Sequence, residues 1–323
     1  MACCFLVALR GSAQQPSRPA PKEKNPPSQT PENDSAEQAE APIPGDWAPE
    51  LLDGILSSPN AQAADSLFRA AFAAGPSIIP QLAEAIKDDR TAEFAAQSLA
   101  FIGGDRAMQV LWKLQDDKRD LNLRRFYYGA LAEYDNDRAT QQLFQVINKS
   151  DAEPDRTVTE AAVLALTVRT EANLTDLIHQ AEKKVTDVVI RDDLENALDV
   201  IRIRSKYLAT PEGKKAGGSA DAAVRTYFIP ALLPPPPSPA DVTAHRPPAK
   251  PDVKLEIQNL TFAPDQQRAL AAVTLEDPSA VAQYDLVMQK RLGNWEVVSV
   301  WLGSETEKPA PAPAPAGKPP VTE

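Results

Sequence analysis

Acid–base, nucleophilic and metal chemistry all require particular side chains at particular spacings, and this chain offers few of them. Its two cysteines, Cys3 and Cys4, both fall in the first four residues, so a zinc site, redox pair or disulfide framework in the body of the chain is excluded. Its two histidines lie far apart: His179 in a helical stretch beside Ile178, and His245 in a proline-rich linker. A general base is conceivable at His179, but no partner for it is identifiable. No Gly-x-Ser-x-Gly elbow is present to carry a nucleophilic serine. Paired carboxylates occur at Asp88-Asp89, Asp116-Asp117 and Asp192-Asp193, yet adjacent residues on a helix or turn do not converge on one point. The first two pairs fall between helical stretches, where an aspartate is expected to cap the next helix by accepting backbone N–H bonds. Calcium loops need alternating oxygen ligands around a glycine, and phosphate cradles need Gly-x-x-x-x-Gly-Lys; Gly103-Gly104 fits neither and reads as a helix stop. The expectation is a chain with no catalytic residues, no metal site and no cofactor.

Charge narrows the partners. A formal net charge of −11 over 323 residues argues against a nucleic-acid backbone, which needs a basic stripe that releases counterions. No apolar run reaches the length of a transmembrane helix. The 31 prolines crowd into residues 16–49, 230–251 and 309–320, leaving proline-poor segments between them that are expected to fold. At the N-terminus, the apolar stretch Ala2–Leu9 followed by Gly11-Ser12-Ala13 fits a signal-peptidase site after Ala13, without a positive n-region. Residues 14–48 cannot bury enough apolar area to offset their ordering entropy.

Between these segments, apolar residues recur at i, i+3, i+4 and i+7 in about nine stretches, from Ala64, Leu67, Phe68 and Ala71 to Ile190, Leu194, Ala197 and Ile201. The connections are only a few residues long, so sequential helices must return antiparallel. Gly104-Asp105-Arg106-Ala107 recurs 32 residues later as Asn136-Asp137-Arg138-Ala139, and with the same offset Leu99 maps to Leu131, Leu111 to Leu143 and Trp112 to Phe144. A third copy runs over residues 160–178 with a slightly longer offset. This pattern resembles HEAT-like repeats, including the short phycobilisome-lyase-type variety. Asp117 to Asp120 followed by Leu123-Arg124 is similar to that family's acidic turn and aliphatic-Arg pair, and Ala95-Ala96 with Leu99 to its first helix. Glu93 and Glu160 depart from the pattern, standing where it prefers arginine. The resemblance implies an α-solenoid in which stacked hairpins bury faces that none could bury alone; a bilin-lyase-like chaperone role is implied by the family only.

Downstream, residues 219–233 read as one helix, stopped by Pro234 to Pro237. Four strand-like runs follow, carrying Val253, Leu255 and Ile257, then Leu270 and Val273, then Tyr284, Leu286 and Met288, and last Trp295, Val297, Ser299 and Trp301 as one expected face after a Gly293-Asn294 turn. The closing Gly-Asn-Trp-Glu-Val-Val-Ser-Val-Trp resembles the last strand of nuclear-transport-factor-2-like domains, which implies a possible cup for a small ligand.

The fold expected is therefore mainly α: a HEAT-like α-solenoid of antiparallel hairpins at 49–204, a hinge at 205–218, and a small α+β module with a four-stranded antiparallel sheet at 219–303. Flanking it are a signal peptide at 1–13, a proline-rich leader at 14–48 and a Pro/Ala-rich tail at 304–323. The expected function is a non-enzymatic protein-interaction scaffold, exported to the periplasm or beyond, with an unknown protein partner. Trp112 and Phe144 are candidate partner anchors if they form an aromatic stripe, or repeat packing if they do not. Arg124 and Arg125 are candidates to meet an acidic partner, or to join the charge pattern of the repeats. The alternative function is a ligand-binding or enzymatic pocket on the sheet, with Tyr284, Trp295 and Trp301 as its candidate lining.

Overall fold

The computed structural model describes residues 61–119, 122–234 and 252–309. The expected signal peptide, the leader, the start of the helical region at 49–60, the linker with His245 and the tail from residue 310 lie outside the described residues. The described part has eleven α-helices followed by an antiparallel four-stranded sheet.

The helices are α1 (Ala61–Ala74), α2 (Ile79–Ala85), α3 (Ala92–Ile102), α4 (Gly104–Leu111), α5 (Arg124–Ala130), α6 (Asp137–Ile147), α7 (Arg156–Leu166), α8 (Leu174–Glu182), α9 (Val188–Leu208), α10 (Ala220–Tyr227) and α11 (Ile229–Leu232). Asn136 caps α6 by accepting from the Ala139 N–H, Asp155 caps α7 from Thr157, and Asp187 caps α9 from Val189 and Ile190. The aspartate pairs work differently from the expectation. Asp88 accepts from the Arg90 N–H and Asp117 from the Arg119 N–H, so each closes a tight turn two residues on instead of capping a helix.

Helices α1, α3, α5, α7 and α9 pack side by side in one layer, with α2, α4, α6 and α8 behind them, α2 against α4 and α6 against α8. Their apolar faces merge into one core that includes Leu99, Leu111, Tyr127, Leu143, Ile147 and Leu194. Polar contacts stitch successive helix pairs at a nearly constant separation. Arg125 bonds Glu93 across 32 residues, Thr140 bonds Glu171 across 31, Arg156 bonds Asp187 across 31, and Arg119 bonds the Ile86 carbonyl across 33. These separations match the sequence recurrence, so its spacing is the spacing of neighbours in space.

Strands β1 (Lys254–Phe262), β2 (Arg268–Glu276), β3 (Ala280–Arg291) and β4 (Asn294–Glu307) form a meander in the order β1-β2-β3-β4. One face meets α10 through Ala269, Ala271, Val273, Leu286 and Met288, with Val224, Tyr227 and Phe228 from the helix side. The other face, with Leu270, Val287, Val298 and Trp301, joins the helical core itself. Arg268 fastens this contact by pairing with Glu133, both side chains 12% exposed, and by donating to the Phe101 carbonyl.

Residues 205–218, expected as a hinge, are instead packed. Helix α9 runs on to Leu208, and the 3-10 turn Gly213–Gly218 lies against α10 and β4. A Cβ at Gly213 would overlap the Tyr207 carbonyl, and one at Gly217 would stand 2.7 Å from Asn294 Cβ. The glycines permit close approach, not a flexible joint.

The β3–β4 turn is centred one residue earlier than expected, at Leu292-Gly293, between the paired Arg291 and Asn294. Leu292 has φ 50° and is fully exposed, so it bears left-handed strain without a packing contact. Replacing Leu292 by Asn, which tolerates this conformation and forms the favoured Asn-Gly turn, is expected to raise stability by about 1 kcal/mol. Thermal unfolding checks it; an unchanged or lower midpoint contradicts it.

Candidate functional site

The structure separates the first set of candidates. Trp112 sits in the 3-10 turn after α4 and is 36% exposed. The Arg138 guanidinium lies over its ring at 4.4 Å, and the Tyr127 ring meets it edge-on with centroids 5.8 Å apart. Phe144 is buried within the helical core, so no exposed aromatic stripe runs from one to the other. Arg124 is bidentate to Glu153 and donates to the Gln115 carbonyl, while Arg125 pairs with Glu93 and lies over the Phe126 ring. Both arginines thus serve contacts between successive helix pairs. Of the four, Trp112 is the most exposed, and a stacked cation holds it in place.

The second set does not converge. Trp295 and Trp301 were expected on one face, but Val298 is an extra residue in β4, between the pairs Val287↔Ser299 and Met288↔Val297. One extra residue inverts the facing of everything beyond it. Trp295 therefore packs on the α10 side, edge-on to Phe262, whereas Trp301 turns to the helices between Phe101 and Phe126. Tyr284 is on the α10 side, 2% exposed, with its ring against Phe228. Among the described residues, apolar side chains pack on both faces of the sheet, and Tyr284, Trp295 and Trp301 do not share one face. His179 is exposed on α8 and bonds Glu182 at 2.9 Å.

A different constellation stands out between α7 and α9. A cavity of about 480 Å³ is lined by Asp151, Glu153, Arg156, Thr159, Asp187 and Ile190, among others. Beside Thr159 and three residues beyond Ile190 stand Glu160 and Asp193. Asp193 is 2% exposed, and neither carboxylate oxygen has a hydrogen-bond partner. Glu160 Oε1, Thr159 Oγ1 and Ser150 Oγ are also buried without partners. The nearby cations are taken: Arg156 pairs with Asp187 and Arg124 with Glu153. Burial, reinforced by the negative charges of Glu160, Asp192 and Asp187 and only partly offset by Arg156, pushes the Asp193 carboxyl up to about 8. Burial likewise raises Glu160, against the pull of Arg156 and with the push of Asp155 and Asp187. Asp193 was legible as unusual in one respect: it falls inside the Ile190, Leu194, Ala197 apolar arc, where a carboxylate does not belong.

This arrangement has a pH signature. The folded chain keeps the Asp193 proton to about 8, whereas an unperturbed aspartate releases it near 3.8. Between those values the folded state binds more protons than the unfolded one, so stability falls as pH rises through the window. Asp193→Asn is expected to remove most of this decline and to be the more stable protein at pH ~8, by on the order of a few kcal/mol. Urea unfolding across the pH range reads it; parallel pH profiles for the two proteins would refute it.

Among the described residues, no three acidic, histidine or cysteine side chains are grouped to hold a metal ion, and no helix is long and apolar enough to cross a membrane. The sequence matches no protein-family model and no curated protein.

Proposed function

We propose that this protein is a non-enzymatic interaction scaffold whose two helical layers are a HEAT-like solenoid, exported from the cell that makes it. What carries the reading is Trp112: a large apolar ring, exposed, yet fixed from two sides by Arg138 and Tyr127. Fixed aromatic anchors lose little entropy on docking and recur as the dominant residues of protein interfaces. The 29-to-33-residue ladder of polar contacts supports the repeat assignment, and the formal charge of −11 favours a basic or neutral partner surface. One layer, α1-α3-α5-α7-α9, already carries the chain's own sheet, so the partner surface is sought on the Trp112 side.

A photo-crosslinking residue at Lys113, beside Trp112, in the full chain tests this. Crosslinks to one partner are expected, with affinity for it falling by about tenfold or more in Trp112→Ala while the unfolding midpoint stays within a few degrees. A crosslinking pattern unaffected by Trp112→Ala would sink the proposal. Export is tested by the intact mass of the natural protein, from which Met1–Ala13 should be missing.

A further inference from the structure

We infer that the cavity between α7 and α9 is a binding site for an ammonium group, carried by a small amine or by a lysine side chain. The inference is independent of the Trp112 surface. Its basis is an inventory of buried polar oxygens without hydrogen-bond partners. Thr159 Oγ1 and Ser150 Oγ belong to residues lining the cavity; Glu160 follows Thr159 on α7, and Asp193 lies one turn beyond the lining Ile190 on α9. Together they bring five buried oxygen atoms with no hydrogen-bond partner. Buried polar atoms are nearly always satisfied, so a cluster of this kind at a cavity points to a missing donor. The rim carries Asp151, Glu153 and Asp187 as well; its Arg156 is paired with Asp187, Arg124 beside it with Glu153, and Arg191 donates to the Thr186 carbonyl. The orphan oxygens therefore receive no hydrogen bond from these cations.

The chemistry selects the ligand. A donor-only cation with several N–H groups complements hydroxyl and carboxylate acceptors at once, and an ammonium has three. A hard metal ion would need converging carboxylates, and no such group of three occurs among the described residues. A quaternary ammonium has the charge but no N–H to give, so it would leave the hydroxyls unsatisfied. The cavity also has room for an alkyl stem along Ile190 and Pro154, which a bare ion does not require.

The test uses the full chain at pH ~9, where the Asp193 carboxyl is ionised and the amines keep their proton, with binding followed by calorimetry and by thermal shift. The probes are n-butylammonium, 1,5-diaminopentane and a short Gly-Ser peptide with one central lysine. Tetramethylammonium, Mg²⁺ and Ca²⁺ are the comparison cations. At least one ammonium probe is expected to bind saturably and to raise the unfolding temperature, while tetramethylammonium does neither. Preference for the amines over the peptide assigns the site to a small molecule; preference for the peptide assigns it to a partner's lysine. Asp193→Asn is expected to weaken binding by about tenfold or more, the loss of a charge-assisted bond. Thr159→Val, which keeps shape and charge but deletes the orphan hydroxyl, should weaken it by a smaller factor. Absence of saturable binding by all three ammonium probes would mean that water alone satisfies the cluster, and overturns the inference. Equal binding to Asp193→Asn and Thr159→Val, or binding of Mg²⁺ or Ca²⁺ in preference to the amines, overturns it as well.

Discussion

Arg169→Ala is expected to cost this protein ~3–5 kcal/mol, the penalty typical of removing one partner from a buried charged network. Arg169 lies in the turn between α7 and α8, and its side chain is 1% exposed. It donates to the Leu131 carbonyl at 3.0 Å, to the Tyr134 and Asn136 carbonyls, to Thr140 Oγ1 at 2.7 Å and to the Glu171 carboxylate. One guanidinium thus satisfies the end of one helix and the start of the next, including Asn136, the residue that caps α6. Truncation would leave these acceptors buried and unpaired, and it would strand Glu171 without its cation. Lysine should recover little, because a single ammonium on a flexible stem cannot reproduce the planar fork that reaches several acceptors. The loss should shrink in acid. Burial alone would raise the Glu171 pKa, but the bonds from Arg169 and Thr140 outweigh it and hold the carboxyl below its usual 4.5. Its contribution is therefore complete above that value and fades as pH falls through the lowered pKa. Urea midpoints at several pH values, with unchanged slope, measure all of this; a loss below ~1 kcal/mol would show that water replaces the network.

The second large effect concerns the contact between sheet and helices. Trp301→Ala is expected to destabilise by ~3–5 kcal/mol through the cavity it leaves between Phe101, Phe126 and Val298. The complementary change is more diagnostic. A Cβ at Gly129 would overlap the Trp301 ring, so Gly129→Ala should cost ~1–3 kcal/mol by overpacking even though alanine is the better helix former. If that clash is the cause, Trp301→Phe should relieve it. The double variant should then be more stable than the sum of the single losses, by a coupling of about 0.5–3 kcal/mol. Strict additivity would mean that Gly129 is needed for some reason other than room for the indole.

Much of this architecture could be read along the chain. The helices follow from apolar spacing, and the Asp-Arg-Ala recurrence has the period of the contacts that join successive helix pairs, such as Arg125 to Glu93. The four strands and their order follow from alternation and short turns. What escaped was set by single residues or by distant ones. The bulge at Val298 is one residue in a smooth apolar run, yet it decides that Trp295 and Trp301 face opposite ways. Glycine enrichment at 213–218 suggested a joint because close packing and flexibility favour the same residue; only the positions of Tyr207 and Asn294 separate them. Arg268 and Glu133 are 135 residues apart, and no local pattern announces their pairing. The acidic cluster lay between these extremes. Asp192-Asp193 was set aside because adjacent carboxylates do not converge, but helical phase puts Asp192 outside and Asp193 inside. That phase was present in the spacing.

The sheet lying on the helices also acts as a gauge. A helical hairpin that touches only its sequence neighbours can be gained or lost at little cost. Here the single strand β4 meets α3 and α5 through Trp301, against Phe101 and Phe126, and also packs on α7. An extra hairpin between α3 and α5 would pull Phe101 or Phe126 off the Trp301 ring. The number of helices in this stretch is thereby held by one side chain from outside it.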